Sequence, residues 1–482
     1  MNENSDYEVL IFMSDQHAGL ITGYMGDPVV RTPNLDRLAR QGSVFTNAYT
    51  PCPLCVPART SFVTCRYPLD VGVITNGNAL ASHDPTFLHS LGIAGYETVL
   101  CGRMHFMGLD QRHGFEKRIA DDITPTHWGM IFTGEPGLHK TREGASVKKL
   151  FSADNAAALH YDRYVADAAK KYYSEDHERK TAVVVGTYMP HWPLGADTEK
   201  VAYYRPRIAE TMKSWSMSYP CDGITRVRQR FGFSSDEKDL LLDCRATYYA
   251  MVESEDELVG EVYAAFRAYL DRNDKKGIFI YVSDHGDHVG DKLLNGKQTF
   301  FEHSSKIPLI IVADGFEPQI IDTPVSLLDI GETICSMTGA PALPHSAGQD
   351  LSPALVGNQL PARPIISEVL GSGRQGQGCA YGLMVRENQY KFITYQGLED
   401  QDLLFDLQDD PQETLNVISE LPLVADRLRG ICAEHASDAD YKVKRAMETG
   451  EPSKNLQLLS QWGQLHPEIN ETWVFKGNAA GL

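Results

Sequence analysis

Several stretches of this chain are apolar through their whole length and then turn abruptly polar. They are EVLIFMSDQH (8–17), TAVVVGTYMPHWP (181–193) and GIFIYVSDHGDHVG (277–290). Unbroken apolar runs of this length suit strands buried on both faces, which occur in mostly parallel sheets covered by helices. The polar residues then fall at the carboxyl edge of the sheet, where open α/β folds bind ligands. The first run ends in Asp15, Gln16 and His17, the second in His191, the third in Asp284 and His285. A fourth segment, TFLHSLGIAGYETVLCGRMHF (86–106), reads as helix, glycine stop and strand, and ends in Arg103 and His105. One such edge is unremarkable; four imply a shared site.

Helical patterns separate these runs. TPNLDRLARQG (32–42) reads as a helix capped by Thr32, with Pro33 in its first turn and Gly42 at its end. Residues 246–270 read as a long amphipathic helix, SVFTNAYT (43–50) as one strand and IPLIIV (307–312) as another. Strands alternating with helices imply an α/β domain with a doubly wound, mostly parallel sheet over residues 1–365. After about residue 365 the pattern becomes a turn followed by antiparallel strands, with LLFDLQDDPQETLNV (403–417) as strand and turn entering a helix. Residues 366–482 therefore read as a small α+β C-terminal subdomain with a tail, Trp462 and Trp473 being its expected anchors. The charged stretch 205–240 reads as a surface insertion.

The net charge is -19, so the chain has no general attraction for nucleic acid or an anionic membrane. Its first residues, MNENSDYEVLIFM, lack the basic start and long apolar core of a secretory signal, and no segment reaches membrane-spanning length. A cytoplasmic location is expected. The nine cysteines are odd in number and scattered, which suits mostly reduced thiols.

PCPLCVPARTSF (51–62) holds two overlapping patterns that share Cys55. Cys52 and Cys55 form a C-x-x-C, a signal for thiol redox chemistry or half of a zinc site. The redox proteins that carry it are far smaller than this domain, and a zinc site needs a second pair, which the chain lacks. Two buried thiols at a loop–helix junction is the plain alternative. Cys55-Val56-Pro57-Ala58-Arg59 is the other pattern. Pro57 suits the first turn of a helix, which places Cys55 just before its N-terminus. Unpaired N–H groups there favour an anion, and Arg59 can point back to the same spot.

CVPARTSF resembles the signature of the type I sulfatases of the alkaline phosphatase superfamily. The likeness extends in family order through FMSDQHAG, CGRMHFMG, MPHWP, VSDHGDHVG with NGKQTFFEHSSKIPLII, and LLFDLQDDPQETLNV. The resemblance implies that a maturation enzyme oxidises Cys55 to formylglycine, whose hydrated aldehyde supplies the nucleophilic hydroxyl. A hemiacetal sulfate can expel sulfate by regenerating the aldehyde, whereas a serine sulfate would break slowly.

It also implies roles for the strand-end residues. Asp15, Gln16, Asp284 and His285, with Cys55, would hold one divalent metal. Hard oxygen ligands suit Ca²⁺ or Mg²⁺, and the histidine nitrogen makes Mn²⁺ a rival. Arg59 would hold the formylglycine. Arg103 and Lys297 would grip the sulfate, as fixed cations facing spreading negative charge. His105 would abstract a proton in hemiacetal breakdown, and His191 would protonate the leaving alcohol. Arg103 stands where the family usually has lysine; it keeps the charge but binds bidentately.

Residues 101–125 resemble the matching stretch of choline sulfatases, which are cytoplasmic, although the tail does not match theirs. Trp128 and Trp192 lie near motif segments and are the aromatic candidates for a substrate face. The substrate is expected to be a sulfate ester of an organic, aryl or carbohydrate alcohol, and a homo-oligomer is possible for this branch. A phosphonate monoester or phosphodiester hydrolase of the same superfamily is the alternative, ahead of a thiol redox protein. His17 and residues 205–240 are expected on the leaving-group side.

Overall fold

A computed structural model of the protein describes residues 7–76, 78–107, 110–123, 148–153, 156–208, 221–372 and 379–437. The apolar runs form the middle of an eight-stranded sheet. Its strands are β1 (Tyr7–Asp15), β2 (Ser43–Phe45), β3 (Glu97–Gly102), β4 (Lys117–Ala120), β5 (Thr181–Pro190), β6 (Lys276–Ser283), β7 (Leu309–Ala313) and β8 (Ile320–Ile321). They lie in the order β8-β2-β7-β6-β1-β5-β3-β4. Neighbours from β6 to β4 are parallel, and β7 is antiparallel to both β6 and β2.

Period-two alternation divides the strand residues between two cores. Leu10, Phe12, Val183, Val185, Phe279 and Tyr281 face the helices Ala157–Ser174 and Lys238–Asn273. Val9, Ile11, Ala182, Val184, Ile278 and Ile280 face the other side, with Cys55–Thr64, Phe87–Ile93 and Asp329–Thr338. Both faces of the central strands are thus apolar, which accounts for runs without alternation. The doubly wound α/β architecture is as the sequence implies.

Four local expectations change. The strand over 43–50 is two strands: a turn at Thr46 and Asn47 lets β2 join the large sheet while Ala48–Tyr49 pairs with Lys306–Ile307 and Val325–Ser326. The helix Pro33–Gln41 starts where expected, but Thr32 does not cap it. Its hydroxyl instead accepts the Gly23 N–H and donates to Asp36, while Asp256 takes the N–H groups of Asn34 and Leu35 at 3.0 and 2.7 Å. The described part of 205–240 is not a surface insertion. Cys221, Ile224, Val227 and Phe231 are buried against Phe300, Ile393 and Tyr395, because the C-terminal sheet gives their apolar faces a partner. The C-terminal helix begins at Pro422, several residues after the turn-rich 407–421.

The C-terminal sheet is antiparallel: β9 (Ile365–Ser372), β10 (Cys379–Glu387), β11 (Tyr390–Tyr395) and β12 (Leu403–Asp406), in that order. One face packs under the helix Pro422–Ser437 through Val385, Phe392, Leu404, Ala425 and Leu428. The other meets Tyr49, Phe300 and Phe301 of the main body. β9 also touches the segment before Cys55, where the Glu368 N–H donates to the Pro51 carbonyl at 2.8 Å. Trp128, Trp462 and Trp473 lie outside the described residues. Among the described residues no helix is long and apolar enough to cross a membrane.

Candidate active site

The parallel strands deliver their polar ends to one place. Asp15 closes β1, Asp284 and His285 follow β6, Arg103 follows β3 and His191 follows β5. Gly186 makes the β3–β5 edge tight enough for this: a Cβ there would stand 1.7 Å from the Arg103 carbonyl oxygen. Opposite, the helix Cys55–Thr64 is buried along its whole length. Cys55 is its first residue, so it lies in the first turn and not before it. The Val56 N–H donates to Asn76 Oδ1 at 3.0 Å.

Ligand atoms of Asp15, Cys55, Asp284 and His285 all lie within 4.8 Å of one another, and all four residues are buried. Cys55 Sγ is 2.8 Å from Lys297 Nζ, 3.3 Å from His285 Nε2 and 3.7 Å from Asp15 Oδ1. Gln16, at φ +71°, donates its N–H to Asp284 Oδ1 and its Nε2–H to Asp287. Among the described residues its buried Oε1 has no hydrogen-bond partner. A buried carbonyl oxygen is costly to leave unpaired. An oxygen-seeking cation among two carboxylates, one imidazole and this amide oxygen would satisfy it. The donor set therefore fits a hard or borderline divalent metal.

Two fully buried guanidinium groups brace the carboxylates. Arg59 Nε is 2.8 Å from Asp284 Oδ2, its NH2 is 3.3 Å from Asp15 Oδ2, and it also donates to the carbonyls of Arg103 and Ser14. Arg103 points its nitrogens in three directions. Nε is 2.5 Å from Asp15 Oδ2, NH1 is 3.5 Å from Asp122 Oδ1, and NH2 is 2.8 Å from His105 Nδ1. Burial would raise the Asp15 pKa, but Arg103, His191, Lys297 and Arg59 outweigh it and hold the carboxyl well below its usual range. His285 is pushed down to about 4, first by burial and then by Lys297, against the pull of the aspartates. It is neutral at physiological pH, as a metal ligand must be. Burial, then Asp15, raises the Cys55 thiol against Lys297.

His191 is buried, gives its Nδ1–H to the Trp192 carbonyl and stacks on the Trp192 ring. Burial first, then Lys297 and Arg103, hold it well below the usual histidine range. His17, expected at the leaving-group side, is instead in the core. Its imidazole is locked between the Tyr281 hydroxyl at 2.6 Å and the Ile21 carbonyl at 2.9 Å. Trp192 packs between the core on the Ala157–Ser174 side of the large sheet and the cluster under the C-terminal sheet, 6.3 Å from Phe231.

Residues 8–340 match the Sulfatase family model. The chain belongs to the sulfatase family. It is a sulfuric ester hydrolase. This sulfatase is 31% identical to the choline-sulfatase of Rhizobium meliloti (strain 1021), over 85% of this chain and 82% of that one. It is 26% identical to arylsulfatase K of Danio rerio, over 87% and 82% of the two chains. Its fold is similar to the phosphonate monoester hydrolase of Agrobacterium radiobacter, with a TM-score of 0.72 at 21% identity over 90% of this chain and 96% of that one. It is similar to BT1596, a 2-O GAG sulfatase, with a TM-score of 0.69 at 21% identity over 92% and 94%.

The structure adds three acids to the sulfatase site that motif reasoning passed over. Asp287 takes Gln16 Nε2–H and the N–H groups of Val289 and Gly296. Asp122 takes the N–H groups of Met104 and His105 at 3.1 and 2.7 Å. Asp162 takes those of Tyr188 and Met189, both at 2.7 Å, and so fixes the end of β5 that carries His191. The first two lie inside motif-bearing stretches of sequence. Asp162, in mid-helix, gave no signal.

Proposed function

We propose that this sulfatase cleaves a sulfate monoester of an organic, aryl or carbohydrate alcohol through a formylglycine made from Cys55, with one divalent cation, calcium first and Mn²⁺ or Mg²⁺ next. The observation that carries this is the position of Cys55 Sγ, where Lys297, His285 and Asp15 converge within 3.7 Å. The sulfur stands in for the hydroxyl oxygen of the modified residue. The cation, held by Asp15, Gln16, Asp284 and His285, would polarise a sulfate oxygen and favour the ionised hydroxyl.

The remaining roles belong to the chain's own side chains. Lys297 offers a fixed positive charge beside the nucleophile position, and Arg103 adds a second one close by. Arg59 holds both metal-site carboxylates in place, and through the helix it starts from it keeps the nucleophile in register with them. His191, with its Nδ1–H committed to a carbonyl, keeps a lone pair on Nε2. It takes up there the proton given up as the formylglycine hydroxyl attacks, and then hands it to the leaving alcohol oxygen. Cys55 is 1% exposed, so its conversion calls for a maturation enzyme that meets the chain before this site closes. The choline-sulfatase relative makes a small cationic alcohol the first substrate to try, with aryl and sugar sulfates beside it.

The test uses protein co-expressed with a formylglycine-generating enzyme. The Cys55 peptide should show the mass of aldehyde in place of thiol, and the protein should release inorganic sulfate from choline sulfate, an aryl sulfate or a sugar sulfate. Faster turnover of a phosphonate monoester than of every sulfate ester would favour the alternative suggested by the phosphonate hydrolase fold relative. An unmodified thiol in active protein would overturn the nucleophile.

A further inference from the structure

Two of the site histidines, His105 and His191, hold opposite tautomers, and that of His105 is set by an acid that the motifs did not single out. We propose that Asp122 is a positioning residue that, through Arg103, fixes His105 as its Nε2–H tautomer, so that His105 enters the reaction as a hydrogen-bond donor. The proposal rests on the sulfatase reading above for its meaning in catalysis, but not for its geometry.

Guanidinium nitrogens carry only donors. Arg103 NH2 lies 2.8 Å from His105 Nδ1, so Nδ1 must offer a lone pair. A neutral imidazole then carries its one proton on Nε2. For His105 to act as a base through Nε2, Nδ1 would need a hydrogen aimed at the hydrogens of Arg103. His191 is the reverse case. The Trp192 carbonyl only accepts, so Nδ1 carries the proton and Nε2 has the lone pair. Of the two imidazoles, His191 is therefore the one that can take up a proton. The proton abstraction that the family resemblance assigns to His105 does not suit this arrangement.

Asp122 sets the orientation. Its side chain is 2% exposed and accepts the N–H groups of Met104 and His105, and it stands 3.5 Å from Arg103 NH1. His105 sits at φ +57°, a conformation that a non-glycine residue adopts only when its surroundings hold it there. Asp15 holds the other side of the same guanidinium, at Nε. The plane of Arg103 is thus pinned at two corners, and its third corner faces His105. A lysine in this place carries its three donors on one nitrogen and could not reach the three partners from separate corners as the guanidinium does. This is a physical use for arginine where the family usually has lysine.

The test is nitrogen NMR of protein labelled with ¹⁵N-histidine, with His105 assigned by loss of its signals in His105→Gln. In the wild-type protein at neutral pH, His105 should show an unprotonated Nδ1 and a protonated Nε2. A protonated Nδ1 overturns the proposal without any variant. In Asp122→Asn, kcat should fall on the order of tenfold or more, with KM changing less, and the His105 signals should move toward a tautomer mixture. Unchanged kcat together with unchanged His105 signals overturns the role of Asp122. The expected tautomer in a protein that releases sulfate from no ester supports this inference and overturns only the proposed function. Sulfate release with His105 protonated at Nδ1 does the opposite.

Discussion

Lys391→Met should destabilise the protein by about 3–5 kcal/mol, the range for removing one partner from a buried ion pair. Lys391 is on β11, fully buried, and its Nζ lies 2.8 Å from a carboxylate oxygen of both Glu302 and Glu413. Methionine keeps most of the side-chain volume, so the change isolates charge from packing. It leaves two buried carboxylates near each other, with Lys306 still 3.5 Å from Glu302. Burial already raises the Glu413 carboxyl, against the pull of Lys391. Without the lysine it should rise further and take up a proton on folding. The folded state then binds more protons than the unfolded one, so the variant loses stability as pH rises above the ordinary glutamate range. Its deficit should therefore be larger at pH 7 than at pH 5. Urea denaturation followed by far-ultraviolet circular dichroism at both pH values measures this. Adding Glu302→Gln and Glu413→Gln to Lys391→Met should recover much of the loss, because neutral groups need no counter-charge. A loss below about 1 kcal/mol at pH 7, or one that grows on acidification, would refute the reasoning.

Cys55→Ala should abolish turnover with no loss of fold by circular dichroism, while Cys52→Ala should leave kcat within about twofold, since no step uses its buried thiol. Equal losses would restore the C-x-x-C pair as the functional unit. Removing divalent metal with a chelator should stop sulfate release, and added Ca²⁺ should restore it; full activity in metal-free protein, checked by elemental analysis, would refute the metal site. Glu302 is drawn from 4.5 to about 2, because Lys391 and Lys306 outweigh the upward push of burial. Its contribution, about 3 kcal/mol, is present above the unfolded glutamate pKa and lost as pH falls toward 2, so Glu302→Gln should flatten acid unfolding over that window.

What was legible in the sequence follows from how each contact is made. β1, β5 and β6 are buried on both faces, so their runs are apolar at every position and their ends are conspicuous. Asp15, His191 and Asp284 could be placed at one sheet edge for that reason alone, Arg103 by the helix, glycine stop and strand that lead to it, and Cys55 by the motif that it shares with Arg59. The split of 43–50 was not legible, because two short strands and one longer strand share the same residue preferences, and only the partners differ. Thr32 was misread for a related reason. Its sequence neighbours permit a cap, but Asp256, 222 positions from Asn34, competes for the same N–H groups with a charge. Charge-assisted bonds of this kind are stronger than a hydroxyl cap, so the distant residue wins. Asp162 and Asp122 belong to the same class. Each is an acid whose function is to receive backbone N–H groups from a segment that carries a site histidine, 17 to 27 residues away. Backbone groups have no sequence signature, so a residue whose partners are backbone leaves none either. The side chains proposed to meet the sulfate ester are thus readable from motif and strand end, whereas those that hold them become visible only when the fold brings the donors to them. The chemistry depends on both: His191 can present a lone pair only while the end of β5 is held, and that hold is Asp162, from a helix that carries no motif.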